Sequence, residues 1–557
     1  MTSNDTSGHT GSIAQASSPV CTTTDGSLRD GTTTGGPAVD TPIVPGTART
    51  AITQFFYKMP RRRLMAFATV ISFGVIFSRR LGAILHPQFF AEGGNVFYAD
   101  AWNDGLRVLF RARGGYLHTL PRLVAAIAVH FPLSWGPSVF VAVAAAVQIA
   151  PVWYLLSRRF DNVLPNLTLR IGLCLIYVAL PNTYGENLNI INADWHLAIV
   201  SFLLLFADVP RTRLGWTRDL LVLALGGLSG PFAVLIWPVA IWRWWRERSS
   251  WTLALLLSET IYTLIQGVTI LLTISSNKTI GAHLGATFNL FTRIVAGQVV
   301  VGSMLGMNNY AGIYQSHLWI HTPLPAVITL LAGAAALWAL ARGPDILRGL
   351  ILFAGITLAS SLKDPLISTT KPQWLVMLMP GVGTYYYLLP MLAWIAILIW
   401  YFMRLTNMTA SPARTEPLFS RDTVTPPESS LNNTPQLMDG EERFHPADAS
   451  RAGTPKAVRE VQDAGPGLVR DRAKPALRIL LLGVTGLICM IMLFGIVRDW
   501  SYPPYAPYSW SAVVSKFEHA KPGTKVTIPI NPPGWSMTLD TRKAGTAGTH
   551  DTFQQNG

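Results

Sequence analysis

The stretch RRRLMAFATVISFGVIFSRRLGAIL, residues 61–85, decides how this chain is organised. Three arginines precede an apolar run, residues 64–85, and about 20 apolar residues are enough for a helix to cross a bilayer. Lysine and arginine are enriched in the short cytoplasmic loops of membrane proteins. The pattern therefore predicts a first membrane span that starts in the cytoplasm at Arg61–Arg63 and leads outward.

The rest of the chain extends this pattern to a total of about eleven crossings. The further predicted spans are residues 136–156, 168–181, 196–207, two short legs within 220–242, 251–274, 323–341, 346–361, 385–403 and 477–497. Every short turn on the predicted cytoplasmic side carries arginine. Residues 287–305 are predicted to lie on the membrane or dip into it.

The run at residues 220–242 has two readings because GLSGP, residues 227–231, interrupts it. A single kinked span would put Arg243, Arg246 and Arg248 outside. Two short legs hinged at Gly230 and Pro231 keep these arginines inside. We favour the two legs, since arginine sets orientation and broken helices are tolerated where they line a cavity.

Composition agrees with a membrane protein. Of 557 residues, 50% are hydrophobic and 13% are charged, against about 25% charged in soluble domains. The net charge of +14 does not indicate nucleic acid binding, because the cations lie mostly in short loops between apolar runs. The three cysteines, Cys21, Cys174 and Cys489, have no metal or disulfide spacing.

Five regions follow from these patterns. Residues 1–60 form a polar, disordered cytoplasmic tail, and 61–403 form a membrane domain with about ten helices. Residues 404–475 are a disordered cytoplasmic linker, 476–498 the last span, and 499–557 a small extracytoplasmic tail. Within that tail, residues 525–530 alternate in polarity and are predicted to form a short strand on the outer face.

The first outer loop contains the main candidate for chemistry. Glu92 lies just beyond a span, between a Phe pair and a Gly pair, where a carboxylate is suited to accept a proton from a hydroxyl. Residues 96–110 look like a helix in the interface plane, with Tyr98, Trp102, Leu106 and Leu109 on one side. Asp100 and Asp104 share the polar face with arginines, so a solvated Asp–Arg face is the plainer interpretation.

Other predicted outer residues suit a sugar phosphate. The cations Arg111, Arg113, Arg122 and Lys363 are candidates to bind a phosphate, although snorkelling or pairing with acids explains each equally well. Amide, acid and aromatic groups in the second outer loop suit a sugar ring, although Asp194 also suits a helix cap. The candidate substrate-binding residues besides the cations are His118, Asn192, Asp194, Trp195, His196 and Tyr385. An aromatic belt at the membrane surface is the plainer interpretation of Tyr385, and a hydrogen-bonded interfacial histidine that of His196.

Six stretches carry a resemblance: FFAEGGNVFYADAWNDG (89–105), GGYLHTLPRLVA (114–125), NADWHLAIVSFLLL (192–205), LSGPFAVLIWPV (228–239), YYYLLPML (385–392) and VTIPINPPGW (526–535). They are similar to an uncharacterised family of bacterial multi-pass membrane proteins, which resembles the GT-C class of polyprenyl-phosphate-sugar glycosyltransferases. That class carries one or two adjacent acids in its first outer loop. Here Glu92 takes this place, its neighbour is Gly93, and Asp100 is the candidate second carboxylate.

The resemblance implies a glycosyltransferase of the bacterial inner membrane that transfers a hexosyl or pentosyl unit. Its partners would be a polyprenyl-phosphate-linked sugar, a lipid-linked or surface glycan acceptor, and membrane lipids, with no nucleic acid. No cofactor is assigned, and a divalent cation is left open. The alternatives are a transporter or flippase for a lipid-linked sugar, indicated by the helix break and by Glu259 inside a span, and a non-catalytic scaffold.

Overall fold

The chain is mostly helical and its apolar helices indicate a multi-pass membrane protein, as the sequence predicts. The computed structural model describes residues 58–277, 282–405 and 475–541, together with Phe56. Six helical segments of this part are long and apolar enough to cross a membrane: Leu133–Leu156, Ser250–Thr273, Phe288–Ile313, Leu324–Arg342, Asp345–Lys363 and Thr384–Leu405. The predicted tail and linker lie almost wholly outside the described residues, and the count of eleven stays a prediction.

The helices of the first half are α1 (Arg61–Arg79), α2 (Gly82–Leu85), α3 (Ala99–Asp104), α4 (Thr119–Ala128), α5 (Gly136–Leu156), α6 (Leu167–Ala179), α7 (Ala193–Phe206), α8 (Arg213–Gly227), α9 (Phe232–Glu247) and α10 (Ser250–Asn277). A π-helical turn, Gly93–Tyr98, precedes α3, and a 3₁₀ turn, Gly105–Phe110, follows it.

The helices of the second half are α11 (Phe288–Ile294), α12 (Gly302–Ile313), α13 (His317–His321), α14 (Leu324–Arg342), α15 (Asp345–Lys363), α16 (Gln373–Met377), α17 (Leu388–Leu405), α18 (Pro475–Arg498) and α19 (Trp510–Glu518). A π-helical segment, Val295–Val301, joins α11 to α12, and a 3₁₀ turn, Thr384–Tyr387, leads into α17. The strands are β1 (Lys525–Ile530) and β2 (Trp535–Asp540), which pair antiparallel.

The two-legged reading of residues 220–242 is confirmed. Helix α8 starts beside the end of α7, because Asp219 pairs with Arg159, which also donates to the Asp208 carbonyl at 2.6 Å. The break after α8 lies at the opposite end of α7, against Asp194. Helix α9 then returns, and Arg243 donates to the Leu205 carbonyl at 3.2 Å. Both legs therefore run along the 14 residues of α7, about 21 Å.

The arginine-rich turns meet at this common end of the bundle, called the arginine end below. Its ion pairs are Arg61–Asp161, Arg170–Asp161, Arg159–Asp219, Arg218–Asp219, Arg243–Glu247, Arg246–Asp345 and Arg348–Asp345. The arginines that the sequence assigns to one side of the membrane thus lie together and are matched by acids.

The segment that the sequence predicts as the first outer loop supplies hydrogen bonds to the break between α8 and α9. Gly230 donates its N–H to the Leu117 carbonyl at 2.9 Å, and Thr119 donates its N–H to the Leu228 carbonyl at 3.1 Å. Gln266 of α10, fully buried, accepts from the Leu117 N–H at 3.0 Å and donates to carbonyls of Leu117 and Gly227. These bonds replace the helical pairing that the break removes, so the backbone groups at the break find partners within the protein.

Two predicted segments differ from the structure. The first helix ends at Arg79, where the sequence predicts a continuous span to residue 85, because the guanidinium groups of Arg79 and Arg80 turn inward to bind carbonyls of neighbouring loops. Residues 288–313, whose first part was predicted to lie on or dip into the membrane, form a segment long and apolar enough to cross it. This segment bends at Gly306, where φ is +82°.

The predicted strand at residues 525–530 is confirmed, and the hairpin β1–β2 packs on the first outer loop. Asn103 donates to the Thr538 carbonyl at 2.9 Å, and Trp102 donates to the Asp540 carbonyl at 3.0 Å. Tyr98 is fully buried, whereas Leu106 is 65% exposed. The prediction of one apolar side along residues 96–110 is therefore wrong, because Gly105 at φ +69° divides the helix and the hairpin covers its first half.

Gly230 provides a test of this geometry. It adopts φ +103°, and a Cβ there would lie 2.7 Å from an Asp194 carboxylate oxygen, so Gly230→Ala should destabilise the fold by about 1–3 kcal/mol. The matched control is Gly267→Ala in α10, where a Cβ meets nothing within 4 Å. Thermal unfolding in detergent should show a lower midpoint for Gly230→Ala only; equal midpoints would contradict the described break.

Candidate functional site

Glu92 is held at the start of the π-helical turn by an unusual backbone. The preceding residue, Ala91, is buried and adopts φ +42°, a left-handed conformation that L residues rarely hold unless the surroundings impose it. Its N–H donates to the carbonyl of Asn531, directly after β1, and the Asn531 N–H donates to the Phe89 carbonyl at 3.1 Å. The C-terminal hairpin thereby fixes the direction in which the Glu92 side chain points from the backbone.

The carboxylate of Glu92 is partly exposed and makes no hydrogen bond or ion pair with any residue in the described part of the chain. It lies close enough to Tyr116 and Tyr385 for its charge to act on both phenols. A carboxylate that is free of partners and lies near two phenols is available to accept a proton from a bound hydroxyl.

Tyr116 lies among the other charged and phenolic side chains of this site. Burial raises its pKa above the ordinary value, and the charges of Tyr386, Asp194, Glu92 and Asp364 raise it further. These groups therefore surround one phenol, which stays protonated as a hydrogen-bond donor. We call Glu92, Tyr116, Asp194, Asp364, Tyr385 and Tyr386 the Glu92 cluster; it lies at the start of α7, opposite the arginine end.

Asp194 lies in the first turn of α7 and is 5% exposed. One carboxylate oxygen accepts the Trp195 N–H at 3.0 Å, and the other faces Gly230 at the helix break. Trp195 is 7% exposed, with its ring 4.8 Å from Phe232 and 5.8 Å from Tyr385. Neighbouring rings cover Trp195 in this structure, and its predicted role in substrate binding stays a prediction.

The other two residues of the second outer loop hold that loop together. Asn192 donates to the Gly185 carbonyl at 2.9 Å. His196 is buried, with one ring nitrogen 2.8 Å from the Tyr177 hydroxyl and the other 3.3 Å from the Glu186 carbonyl. Both ring nitrogens of His196 therefore have hydrogen-bond partners within the protein. Neither the contact of Asn192 nor those of His196 by themselves indicate a bound sugar.

Glu186 is a buried acid that sequence reasoning did not single out. It is 1% exposed, accepts from the Thr384 hydroxyl at 2.9 Å, and leaves its second oxygen without a partner. Burial raises its pKa to about 8, against the opposing effects of the Thr384 bond and the charges of Arg80 and Arg79. In the sequence, the only sign of Glu186 is its place in a polar loop that is predicted to lie outside. A buried acid and an exposed acid look the same in such a pattern.

Asp100, predicted as a second catalytic carboxylate, belongs to an arginine cluster. It lies 3.1 Å from Arg122 and 3.5 Å from Arg111, and Arg111 also pairs with Asp104 at 2.9 Å. Arg122 is 1% exposed and also donates to the Arg111 carbonyl at 2.9 Å. These contacts fit the plainer interpretation of an Asp–Arg face. Asp100, Arg111 and Arg122 neutralise one another and hold this part of the fold together.

His118 lies beside Tyr116, with ring centres 4.7 Å apart, and one ring nitrogen is 3.2 Å from the Arg113 carbonyl. Its other nitrogen is buried without a partner. Burial lowers the His118 pKa to about 4, and the charges of Arg122 and Arg113 lower it further, although the bond to the Arg113 carbonyl opposes this. The imidazole is therefore neutral at pH 7.

Arg113 and Lys363 are the predicted cations that stay available. Both are exposed, and neither forms an ion pair with any residue that the structure describes. Arg113 forms a backbone bridge with Tyr116, and Lys363 directly precedes Asp364. Two free cations therefore border the Glu92 cluster, where they can neutralise an anionic group.

Comparison of the chain with protein-family models, with curated proteins and with solved structures gave no match. Within the described residues, no group of three or more His, Cys, Asp and Glu side chains is arranged to hold a metal ion.

Glu186 predicts a pH dependence of stability. Its folded pKa of about 8 lies above the ordinary value of 4.5, so the folded state binds the proton more tightly than the unfolded state. Stability should then fall as pH rises from about 5 to 8, by a few kcal/mol in order of magnitude. The substitution Glu186→Gln keeps an acceptor for Thr384 but removes the titrating group. The stability of this variant should therefore fall much less over the same pH range.

The measurement is the unfolding midpoint in detergent at pH 5, 6.5 and 8. The exposed Glu518→Gln serves as the control and should keep the slope of the unmodified protein. If Glu186→Gln and the unmodified protein lose stability equally between pH 5 and pH 8, Glu186 does not titrate as a buried acid.

Proposed function

We propose that this protein is a glycosyltransferase of the bacterial inner membrane. It transfers a sugar from a polyprenyl-phosphate donor to a lipid-linked or cell-surface glycan on the outer side. The observation that supports this most is the free carboxylate of Glu92 among phenols and acids, bordered by two unpaired cations. A proton acceptor beside cations is the arrangement that attack of a hydroxyl on a sugar phosphate needs.

In the proposed reaction, the acceptor hydroxyl loses its proton to Glu92 as its oxygen attacks the anomeric carbon. The bond from that carbon to the donor phosphate oxygen breaks, and the electron pair leaves with the phosphate. Arg113 and Lys363 neutralise the charge that develops there. Tyr116 donates a hydrogen bond from its protonated phenol. A single displacement of this kind inverts the anomeric carbon.

The proposed topology has about eleven spans in a GT-C-like arrangement, with the N-terminus in the cytoplasm and the C-terminus outside. The arginine end then faces the cytoplasm, in accord with the positive-inside rule. The end with the Glu92 cluster and the C-terminal hairpin faces outward. Supporting this, α1 pairs through Arg61 at the arginine end, and its last residue contacts Tyr502, beyond α18.

A transporter or flippase for a lipid-linked sugar is the second candidate, and one observation favours it. Glu259 in α10 is fully buried, and neither of its carboxylate oxygens has a partner in the described part of the chain. Acids inside a membrane segment commonly serve ion-coupled transport, and broken helices such as α8 and α9 often form substrate sites.

One experiment compares the two candidates. Lipid-linked and surface glycans are measured by mass spectrometry in cells that carry the unmodified chain, Glu92→Gln, Glu259→Gln or Glu247→Gln. For a transferase, Glu92→Gln should lower the amount of one glycosylated product at least 100-fold, because the proton acceptor is lost. Glu247→Gln, at the arginine end, should change nothing.

The opposite result has a defined meaning. If Glu92→Gln keeps full product while Glu259→Gln abolishes it and traps a lipid-linked sugar on one side of the membrane, the protein is a transporter. Equal amounts of protein in the membrane, measured by immunoblotting, are required for each variant.

A further inference from the structure

A cavity of about 220 Å³ lies between the end of α1 and the segment after α18. Its lining includes Arg79 and Arg80 on one side and Tyr502 and Tyr505 on the other. This volume is below the usual size of a site for a whole drug-sized ligand, so it suits a small group such as a headgroup.

The two arginines carry charge that no acid in the described residues pairs with. Arg79 and Arg80 are 2% and 4% exposed, and both guanidinium groups lie over the Tyr502 ring, at 4.7 and 5.5 Å. Their polar contacts are carbonyls and hydroxyls, and the Nε atom of each has no acceptor. Two buried like charges without a counter-ion are costly, so an anion placed there would be stabilised.

The nearest acids are already engaged. Asp499 accepts the backbone N–H groups of Asn182 at 3.0 Å and of Asn308 at 2.9 Å, and it also accepts that of Met307. Glu186 accepts from Thr384 through one carboxylate oxygen only, and burial raises its pKa to about 8, so it is mostly protonated at pH 7 and adds little negative charge. The positive charge in the cavity wall is therefore left for a ligand to neutralise.

The rim of the cavity is apolar. Leu81, which lines it, is 54% exposed, and the adjacent Ile84 and Leu85 of α2 are 40% and 61% exposed. Exposed aliphatic side chains beside buried arginines suit a molecule with an anionic head and a hydrocarbon chain.

From these contacts we propose that the cavity beside Arg79 and Arg80 binds the phosphate group of a lipid, whose chain lies over Leu81, Ile84 and Leu85. Tyr505 in its wall lies 5.6 Å, ring to ring, from Phe90, two residues before Glu92. The bound lipid would thus lie next to the segment that carries the Glu92 cluster, and its binding does not require the proposed transfer reaction.

The test uses the purified full chain in detergent micelles, titrated with dioleoyl phosphatidic acid and observed by native mass spectrometry. We expect one saturable phosphatidic acid per chain, with dioleoyl phosphatidylcholine binding at least tenfold more weakly. Arg79→Gln and Arg80→Gln should each weaken phosphatidic acid binding about tenfold, since each removes a charge-assisted contact. Arg107→Gln, an exposed arginine elsewhere, should bind normally.

Gly82→Trp tests the cavity without changing either arginine. Gly82 lines the cavity, and a Cβ there meets nothing within 4 Å, so the indole can fill the space without a backbone clash. Binding should fall about tenfold. Gly74→Trp on α1 is the matched control, because a Cβ at Gly74 also meets nothing within 4 Å and Gly74 does not line the cavity.

Three results would overturn the proposal. One is equal binding of phosphatidic acid by Gly82→Trp and Gly74→Trp. This result would contradict the proposal even if the arginine variants fail to fold. Another is equal binding of phosphatidylcholine and phosphatidic acid. The third is inorganic phosphate that competes as tightly as phosphatidic acid, which would make the site one for a free ion.

Discussion

The break between α8 and α9 is the constraint on which the rest of this structure depends. A broken helix exposes backbone N–H and C=O groups, and where water is excluded these groups need partners within the protein. Here the partners are Leu117, Thr119 and the side chain of Gln266. Because the segment before α4 supplies these bonds, it has to lie against the start of α7. That requirement brings Tyr116 close to Asp194 and creates the Glu92 cluster.

The two ends of the bundle differ in how completely their acidic side chains are paired with arginine. At the arginine end, Asp161, Asp219 and Asp345 each pair with arginine. At the other end, Asp100 and Asp104 also pair with arginine, whereas Glu92 and Asp364 have no ion-pair partner in the described chain.

The sequence predicts what depends on local pattern. Apolar length and arginine placement locate α5 to within its observed bounds, Gly-Pro at residues 230–231 marks the break, and alternation identifies β1. It does not predict contacts between distant segments. The inward turn of Arg79 and Arg80, the burial of Trp195 among aromatic rings, and the bond from Thr384 to Glu186 all depend on packing across more than 90 residues of chain or between separate loops.

The most direct test of this account is a disulfide between the first outer loop and the helix break. His118 and Ser229 form an antiparallel backbone bridge, in which Cα atoms lie about 4.5–5.5 Å apart, within the range that a disulfide spans. In a chain whose native cysteines are replaced, oxidation of His118→Cys with Ser229→Cys should give near-complete linkage by thiol labelling and mass spectrometry. His118→Cys with Ser250→Cys, at the far end of α10, should give none. Equal linkage in the two pairs, or none in the first, would contradict the account.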